Sequence, residues 1–357
     1  MKKIVQFLFL SISAVVFSQE AYYLNAPNAV DFTLNGIDLK NALATKISNN
    51  VTFLPYSSTS FDTWDALKLT DEDPNNASNV LLIYNSQSEP KTNTVGNNNS
   101  SFPQVWNREH VFPKSLASPS LETNDPGPGT DIHNLRPANE SINSARGNLK
   151  FANGSGDFGT IGSNWYPGDK WKGDVARMVM YMYLRYDGDG SSIVETQCLA
   201  SNVGVGVAVS NDANMIDLFL QWNAEDPVSD IERQRNPVSE QRQGNRNPFI
   251  DNPYLATKIW GGPAAQDIWG TLSIDDIVQD NFKIYPNPVN AHVVFIESRT
   301  ITIKNVTLFN LTGQQILIHD NLHKNGNQIV LDNLPSGFYV LKIKSEKGVI
   351  SKKLIIN

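Results

Sequence analysis

Two short stretches of this chain collect the residue types that hydrolysis of an anionic ester requires. The first is Trp106-Asn107-Arg108-Glu109-His110-Val111-Phe112-Pro113-Lys114-Ser115, the second Asp131-Ile132-His133-Asn134-Leu135-Arg136-Pro137. They hold the only two histidines outside the C-terminal fifth of the 357 residues. Imidazole accepts a proton from water near neutral pH because its ordinary pKa is about 6.5. Glu109, beside His110, offers the hard oxygen that a divalent cation prefers. A phosphodiester repels incoming hydroxide, so a catalyst must generate the nucleophile locally and neutralise charge as the leaving oxygen departs. Mg²⁺ keeps several waters and needs few protein ligands, so one acid and one amide oxygen suffice. Asn143, within Ala138-Asn139-Glu140-Ser141-Ile142-Asn143-Ser144-Ala145-Arg146-Gly147-Asn148, is the candidate amide. The set points to metal-assisted phosphodiester cleavage.

The elements that must position these residues read as β-β-α. The segment ending at His110 and the His133 segment are expected as strands, separated by a Pro- and Gly-rich loop from Ser118 to Thr130. The Asn143 segment is expected as a short helix that starts after Pro137 and stops at Gly147. Adjacent residues on a regular strand face opposite ways, so Glu109 and His110 can share a pocket only at a bulge or a strand end. Pro113, which cannot donate to a ladder, makes such a break plausible. In isolation, each of these residues also has an ordinary reading: a surface or buried His–Glu pair, a helix-capping Asn, a solvated Arg.

The three segments in this order resemble the bacterial endonuclease I family, secreted or periplasmic nucleases with a ββα-metal (His-Me finger) active site. Gly173-Asp174-Val175-Ala176-Arg177 and Gln243-Gly244-Asn245-Arg246-Asn247-Pro248-Phe249-Ile250-Asp251 extend the similarity to roughly residues 25 to 260. The resemblance implies a mixed α+β catalytic domain, His110 as general base, and Glu109 and Asn143 as ligands of Mg²⁺. It also implies an arginine that steadies the scissile phosphate, Arg146 in first place and Arg136 in second. His133, Asn134 and Arg108 are expected to support the site or position substrate. Some relatives are cross-linked by disulfides; here the single cysteine, Cys198, excludes an intramolecular one and reads as a small buried residue.

Other candidate motifs carry less. Asp187-Gly188-Asp189-Gly190-Ser191 fails as an EF-hand, because Ser192 and Cys198 stand where glycine and glutamate are required. Gly154-Ser155-Gly156 is preceded by Asn153 rather than the first glycine of a nucleophile elbow, and no His-Glu-x-x-His occurs. Val175, Met178, Val179, Met182 and Tyr186, and then Met215, Leu218, Phe219 and Trp222, recur at helical spacing and read as core faces.

At 40% hydrophobic and 18% charged residues, the chain can bury a sizeable core and is long enough for two domains. Residues 1–18 carry Lys2 and Lys3, an apolar run from Ile4 to Phe17, and Val16 and Ser18 at small-residue positions. They read as a secretory signal peptide with Gln19 as the mature start, the run being too short to span a membrane comfortably. The net charge of −7 is unusual for a nucleic-acid binder, and the last 75 residues are themselves basic. Any positive potential must therefore be local. Arg233, Arg235, Arg242 and Arg246, mixed with glutamines, are the candidate phosphate-contacting surface.

Beyond Trp269, short apolar runs alternate with Asn, Gly and Pro turns, which is the pattern of a small β-sandwich. Phe282-Lys283-Ile284-Tyr285-Pro286-Asn287-Pro288-Val289, Leu311-Thr312-Gly313-Gln314 and Leu334-Pro335-Ser336-Gly337-Phe338-Tyr339-Val340 resemble the C-terminal sorting domain of the type IX secretion system. That resemblance implies the secretion machinery as a partner. His292, His319 and His323 read as ordinary surface residues.

The expected organisation is a signal peptide (1–18), a catalytic domain (19–275) and a linker with sorting domain (276–357). The expected function is secreted cleavage of DNA, RNA or both with little sequence specificity. Mg²⁺ is the expected ion; an oxygen-only site also accepts Mn²⁺ or Ca²⁺. The competing reading is a secreted adhesion or glycan-binding protein with a decayed nuclease motif, against which the intact Glu109, His110 and Asn143 speak.

Overall fold

The computed structural model describes residues 19–95, 105–186, 199–270, 282–290, 293–298, 302–320, 327–331, 334–345 and 349–357. The expected signal peptide, Cys198, the Asp187–Ser191 turn, His292 and His323 lie outside them. The chain forms two compact units, Met1–Trp269 and Gly270–Asn357. The class is α+β, as expected.

The first unit is organised around a central helix rather than a large sheet. Residues Gly173 to Arg185 of the helix Lys172–Arg185 are all buried. A helix enclosed on every side is normally apolar all round; this one also carries Asp174, Arg177 and Arg185. Each is compensated. Arg177 makes a two-pronged contact with Glu232 (Nε 2.6 Å, Nη2 2.7 Å), while Arg185 lies 3.5 Å from Asp131. Asp174 accepts from Arg136, which also pairs with Asp71 at 2.7 Å. Removing one member of such a network leaves an uncompensated buried charge. The two expected helical stripes are indeed core: Val175, Met178, Val179, Met182 and Tyr186 are buried, and so are Met215, Leu218, Phe219 and Trp222. Met215 stands on the short strand just before its helix.

Against this core lies a two-stranded antiparallel ladder, β1 (Trp106–His110) and β2 (Leu135–Asn139), followed by the helix α1 (Glu140–Arg146). Trp106 pairs with Asn139, Glu109 with Arg136 and His110 with Leu135. The β-β-α order is as read from the sequence, but two boundaries differ. His133 sits in a one-turn helix, Ile132–Asn134, and the second strand begins after it. Its cause is Asp131, whose carboxylate accepts the His133 backbone N–H at 3.0 Å and closes the turn. Pro137 does not start the helix; it lies inside β2, and its carbonyl accepts the Ile83 N–H at 2.9 Å. The helix is opened instead by Asn139, whose side chain accepts from Ser141 and Ile142, and closed by Gly147 at φ +54°.

The second unit is a β-sandwich of antiparallel strands. One sheet joins Phe282–Tyr285, Val293–Ser298 and Asn327–Val330; the other orders Gln315–Asp320, Ile303–Asn310, Gly337–Ser345 and Val349–Ile356. Along Gly337–Ser345 the buried positions Tyr339, Leu341 and Ile343 alternate with more exposed ones, the period-two signature of a half-buried sheet.

Candidate active site

A cleft of about 300 Å³ is lined by Arg108, Glu109, His110, Pro113, Lys114, Ser115, Asn143, Arg146, Gly147 and Asn148. It draws from the end of β1, the turn after it and α1, so the two chain neighbours Glu109 and His110 do share one hollow. His110 is the last residue of its strand, where alternation stops binding the side chains to opposite faces. What holds this end is Asn134. Its amide accepts from the Phe112 N–H at 2.7 Å and donates to the Phe112 carbonyl at 3.1 Å, while its own carbonyl accepts the Val111 N–H.

The His110 ring is fixed from one side. Nε2 lies 2.7 Å from the Gly129 carbonyl oxygen, which can only accept, so Nε2 carries the ring proton and Nδ1 is the basic nitrogen. The Tyr56 ring stacks on the imidazole at 5.8 Å. Burial pushes the His110 pKa down to about 4, the Gly129 bond opposing and the cations Lys114, Arg108 and Arg146 assisting. The ring is thus neutral across the neutral range.

Glu109 is buried, which raises its pKa, while Arg146 and then Tyr84 act to lower it. The Tyr84 hydroxyl donates to Oε1 at 2.8 Å, and Arg146 Nη1 lies 3.4 Å from the same oxygen. Asn143 is oriented as well. Its amide nitrogen donates to Asn107 Oδ1 at 2.7 Å and approaches the Arg108 carbonyl at 3.5 Å, which leaves Oδ1 as the acceptor end. A carboxylate and an amide oxygen on one cleft are hard donors that fit Mg²⁺ or a similar cation. Among the described residues no group of three or more His, Cys, Asp or Glu is placed so that it could hold a metal ion.

The remaining expected residues separate into those at the cleft and those beneath it. Arg146 lines the cleft but is 1% exposed, its Nη groups donating to the carbonyls of His110, Val111 and Gly147. It clamps α1 to the strand end. Arg136 does not reach the cleft: fully buried, it pairs with Asp71 and Asp174, and the phosphate role held for it is corrected to one in the core ion network. His133 is likewise internal. Nε2 bonds the Asn245 carbonyl at 3.1 Å and the ring packs on Tyr181 at 4.6 Å. Arg108 bonds Thr63 and the Tyr56 carbonyl, its guanidinium lying over the Tyr56 and Trp64 rings.

The proposed arginine surface is also corrected. On the helix Asp230–Gln243, residues 233 and 235 are about 200° apart. Arg235 is buried against Asp71 and the carbonyls of Ile132 and Leu135. Arg246 binds Asp251 and Glu240, Arg233 binds Asp230, and Arg242 lies over Phe61. The four do not share one face, although Arg233 and Arg246 line a common hollow. Lys114, Gly129, Tyr84, Tyr56 and Asn107 were not singled out in the sequence. Only Lys114 and Asn107 carried a signal, by standing inside the first motif.

Residues 35–254 match the family Endonuclease I, and residues 283–357 match the secretion system C-terminal sorting domain. An extracellular ribonuclease of Bacillus subtilis (strain 168) is 45% identical over 233 residues, 63% of this chain and 75% of the relative. An extracellular ribonuclease of Bacillus amyloliquefaciens is 43% identical over 249 residues, 68% of this chain and 78% of the relative. Among the described residues no helix is long and apolar enough to cross a membrane. Endonuclease I nucleases are generally dependent on divalent metals. The sorting domain directs export to the cell surface or the medium, and this chain belongs to the Endonuclease I family, as a secreted nuclease that hydrolyses phosphodiester bonds.

Proposed function

We propose that the chain cleaves RNA, and DNA as well, with little sequence specificity, by activating water on His110. The observation that carries this reading is the Nε2 contact to the Gly129 carbonyl, which commits the ring proton and leaves Nδ1 to accept one from water. The names of the two Bacillus relatives favour RNA as a substrate. A water nucleophile makes no use of the 2′-hydroxyl, so the same chemistry extends to DNA.

Glu109 and Asn143 would hold the cation, Mg²⁺ with Mn²⁺ or Ca²⁺ as substitutes. When bound, it supplies Lewis-acid stabilisation of the phosphate and of the departing 3′ oxygen. His110 takes the water proton; Asn107 and the Arg108 carbonyl hold the Asn143 amide in one orientation. Arg146 clamps Glu109 and the strand end together and adds positive potential. Lys114, on the same cleft, is the cation we assign to the substrate phosphate. Arg108, Lys114 and Arg146 outnumber Glu109 among the charged cleft residues, so the site is locally positive in a chain of net charge −7.

The test is digestion of matched RNA and DNA by the purified full chain with Mg²⁺ or with EDTA. Cleavage of both that stops with EDTA and with His110→Ala is expected. Undiminished activity in either condition overturns the mechanism, and inactivity in every divalent metal favours a binding module.

A further inference from the structure

Tyr84 pairs an unusual backbone with an unusually placed hydroxyl. It has φ +73°, a region that bulky L residues rarely adopt, and the Asn85 N–H bonds the Ile83 carbonyl at 3.0 Å around it. That is the strained form of the γ-turn. The turn is held from both sides. The Ile83 N–H donates to the Pro137 carbonyl at 2.9 Å, and Trp171 Nε1 donates to Ser86 Oγ at 3.0 Å. Between these anchors the Tyr84 ring packs edge-to-face on Trp165 at 5.5 Å, and its buried hydroxyl ends 2.8 Å from Glu109 Oε1. Arg146 approaches that same oxygen at 3.4 Å.

We infer that Tyr84 is a positioning residue for the cation: its hydroxyl fixes the rotamer of Glu109 and occupies Oε1, so that the carboxylate presents Oε2 to the cleft. This rests on the reading of Glu109 as a cation ligand. Donors that orient a metal-binding carboxylate are worth about 10- to 100-fold in metal affinity. Persistence of a strained conformation at a functional group is what such a role accounts for, whereas packing on Trp165 needs only the ring.

The experiment is calorimetric titration of the full chain with Mg²⁺ and Mn²⁺, comparing wild type, Tyr84→Phe and Glu109→Gln, with thermal melting of each metal-free protein. Tyr84→Phe keeps the ring and its packing, and is expected to bind about 10- to 100-fold more weakly while Glu109→Gln loses binding. If Tyr84→Phe binds as wild type and Glu109→Gln does not, the tyrosine inference falls and the cation site stands. If Glu109→Gln binds as wild type, the cation reading falls and takes this inference with it. Should Tyr84→Phe not fold, Trp165→Phe, which loosens the ring but keeps the hydroxyl, serves in its place. A several-fold weakening is expected there, and unchanged affinity overturns the inference.

Discussion

His110 Nε2 lies 2.7 Å from the carbonyl oxygen of Gly129, nineteen residues away across the Pro- and Gly-rich loop. A backbone group so used must be held still, and here the glycine itself is the means. A Cβ on Gly129 would stand 1.9 Å from the Glu122 carbonyl oxygen, closer than any side chain tolerates. Gly129→Ala therefore has to move backbone, and the carbonyl with it. We expect at least a tenfold drop in kcat with the fold retained, against at least about a hundredfold for His110→Ala, the lower end for a general base. Steady-state kinetics with circular dichroism of both variants checks the ordering; wild-type kcat in Gly129→Ala would show that the carbonyl does not set the ring.

Arg146 has more to lose than a surface arginine. Its removal orphans the carbonyls of His110 and Val111 and leaves the buried Glu109 carboxylate without the cation that faces it. Arg146→Met is expected to cost about 3 to 5 kcal/mol, the range for breaking one partner of a buried pair. Urea unfolding measures it. A loss under about 1 kcal/mol, typical of an exposed ion pair, would mean that the clamp is dispensable.

The core histidine makes stability fall in acid. Burial pushes His133 down to about 4, with Asp131 and the Asn245 carbonyl only partly offsetting it. The unfolded chain binds a proton near pH 6.5 while the folded one refuses it until about 4, so the contribution is whole above pH 6.5 and is lost as pH falls toward 4. The full span is on the order of 3 kcal/mol. His110, lowered to about 4 for the same reason, adds to the slope with the same sign. Unfolding free energies at pH 7 and 4.5 for wild type and His133→Gln are the check; equal losses in both would remove His133 from the account.

The first motif was legible because its chemistry and its spacing coincide: Glu109 and His110 adjoin at a strand end, and Asn143 follows on the next helix. The strand-end solution was visible in Pro113, though the agent is Asn134 gripping Phe112. In the second motif, Asn134 grips Phe112, His133 packs on Tyr181 and Arg136 sits in the core ion network, so it is Arg136, read as steadying the phosphate, whose place in the fold opposes its sequence reading. Sequence shows that a polar residue is present; only packing shows whether it faces water. Gly129 and Tyr84 were invisible for a different reason, as each acts through a long-range contact to the first motif. The same limit applies to the arginines of the helix Asp230–Gln243, whose clustering in sequence says nothing of direction around the axis.

That direction yields a separable outcome for substrate binding. Arg233 is partly exposed and paired with Asp230, whereas Arg235 is buried against Asp71, and Lys114 stands on the cleft. Arg235→Ala is expected to destabilise by about 3 kcal/mol or more, and Arg233→Ala to change neither stability nor KM beyond error. Lys114→Ala should leave stability near wild type, raise KM for RNA several-fold, and lower the slope of log affinity against log salt by close to one, the loss of a single phosphate contact. Nitrocellulose binding of a non-cleavable RNA to the full chain with EDTA, over a series of salt concentrations, reads this slope without turnover. An unchanged slope in Lys114→Ala would take the lysine off the substrate backbone, and a reduced slope in Arg233→Ala would restore the helix as a phosphate surface.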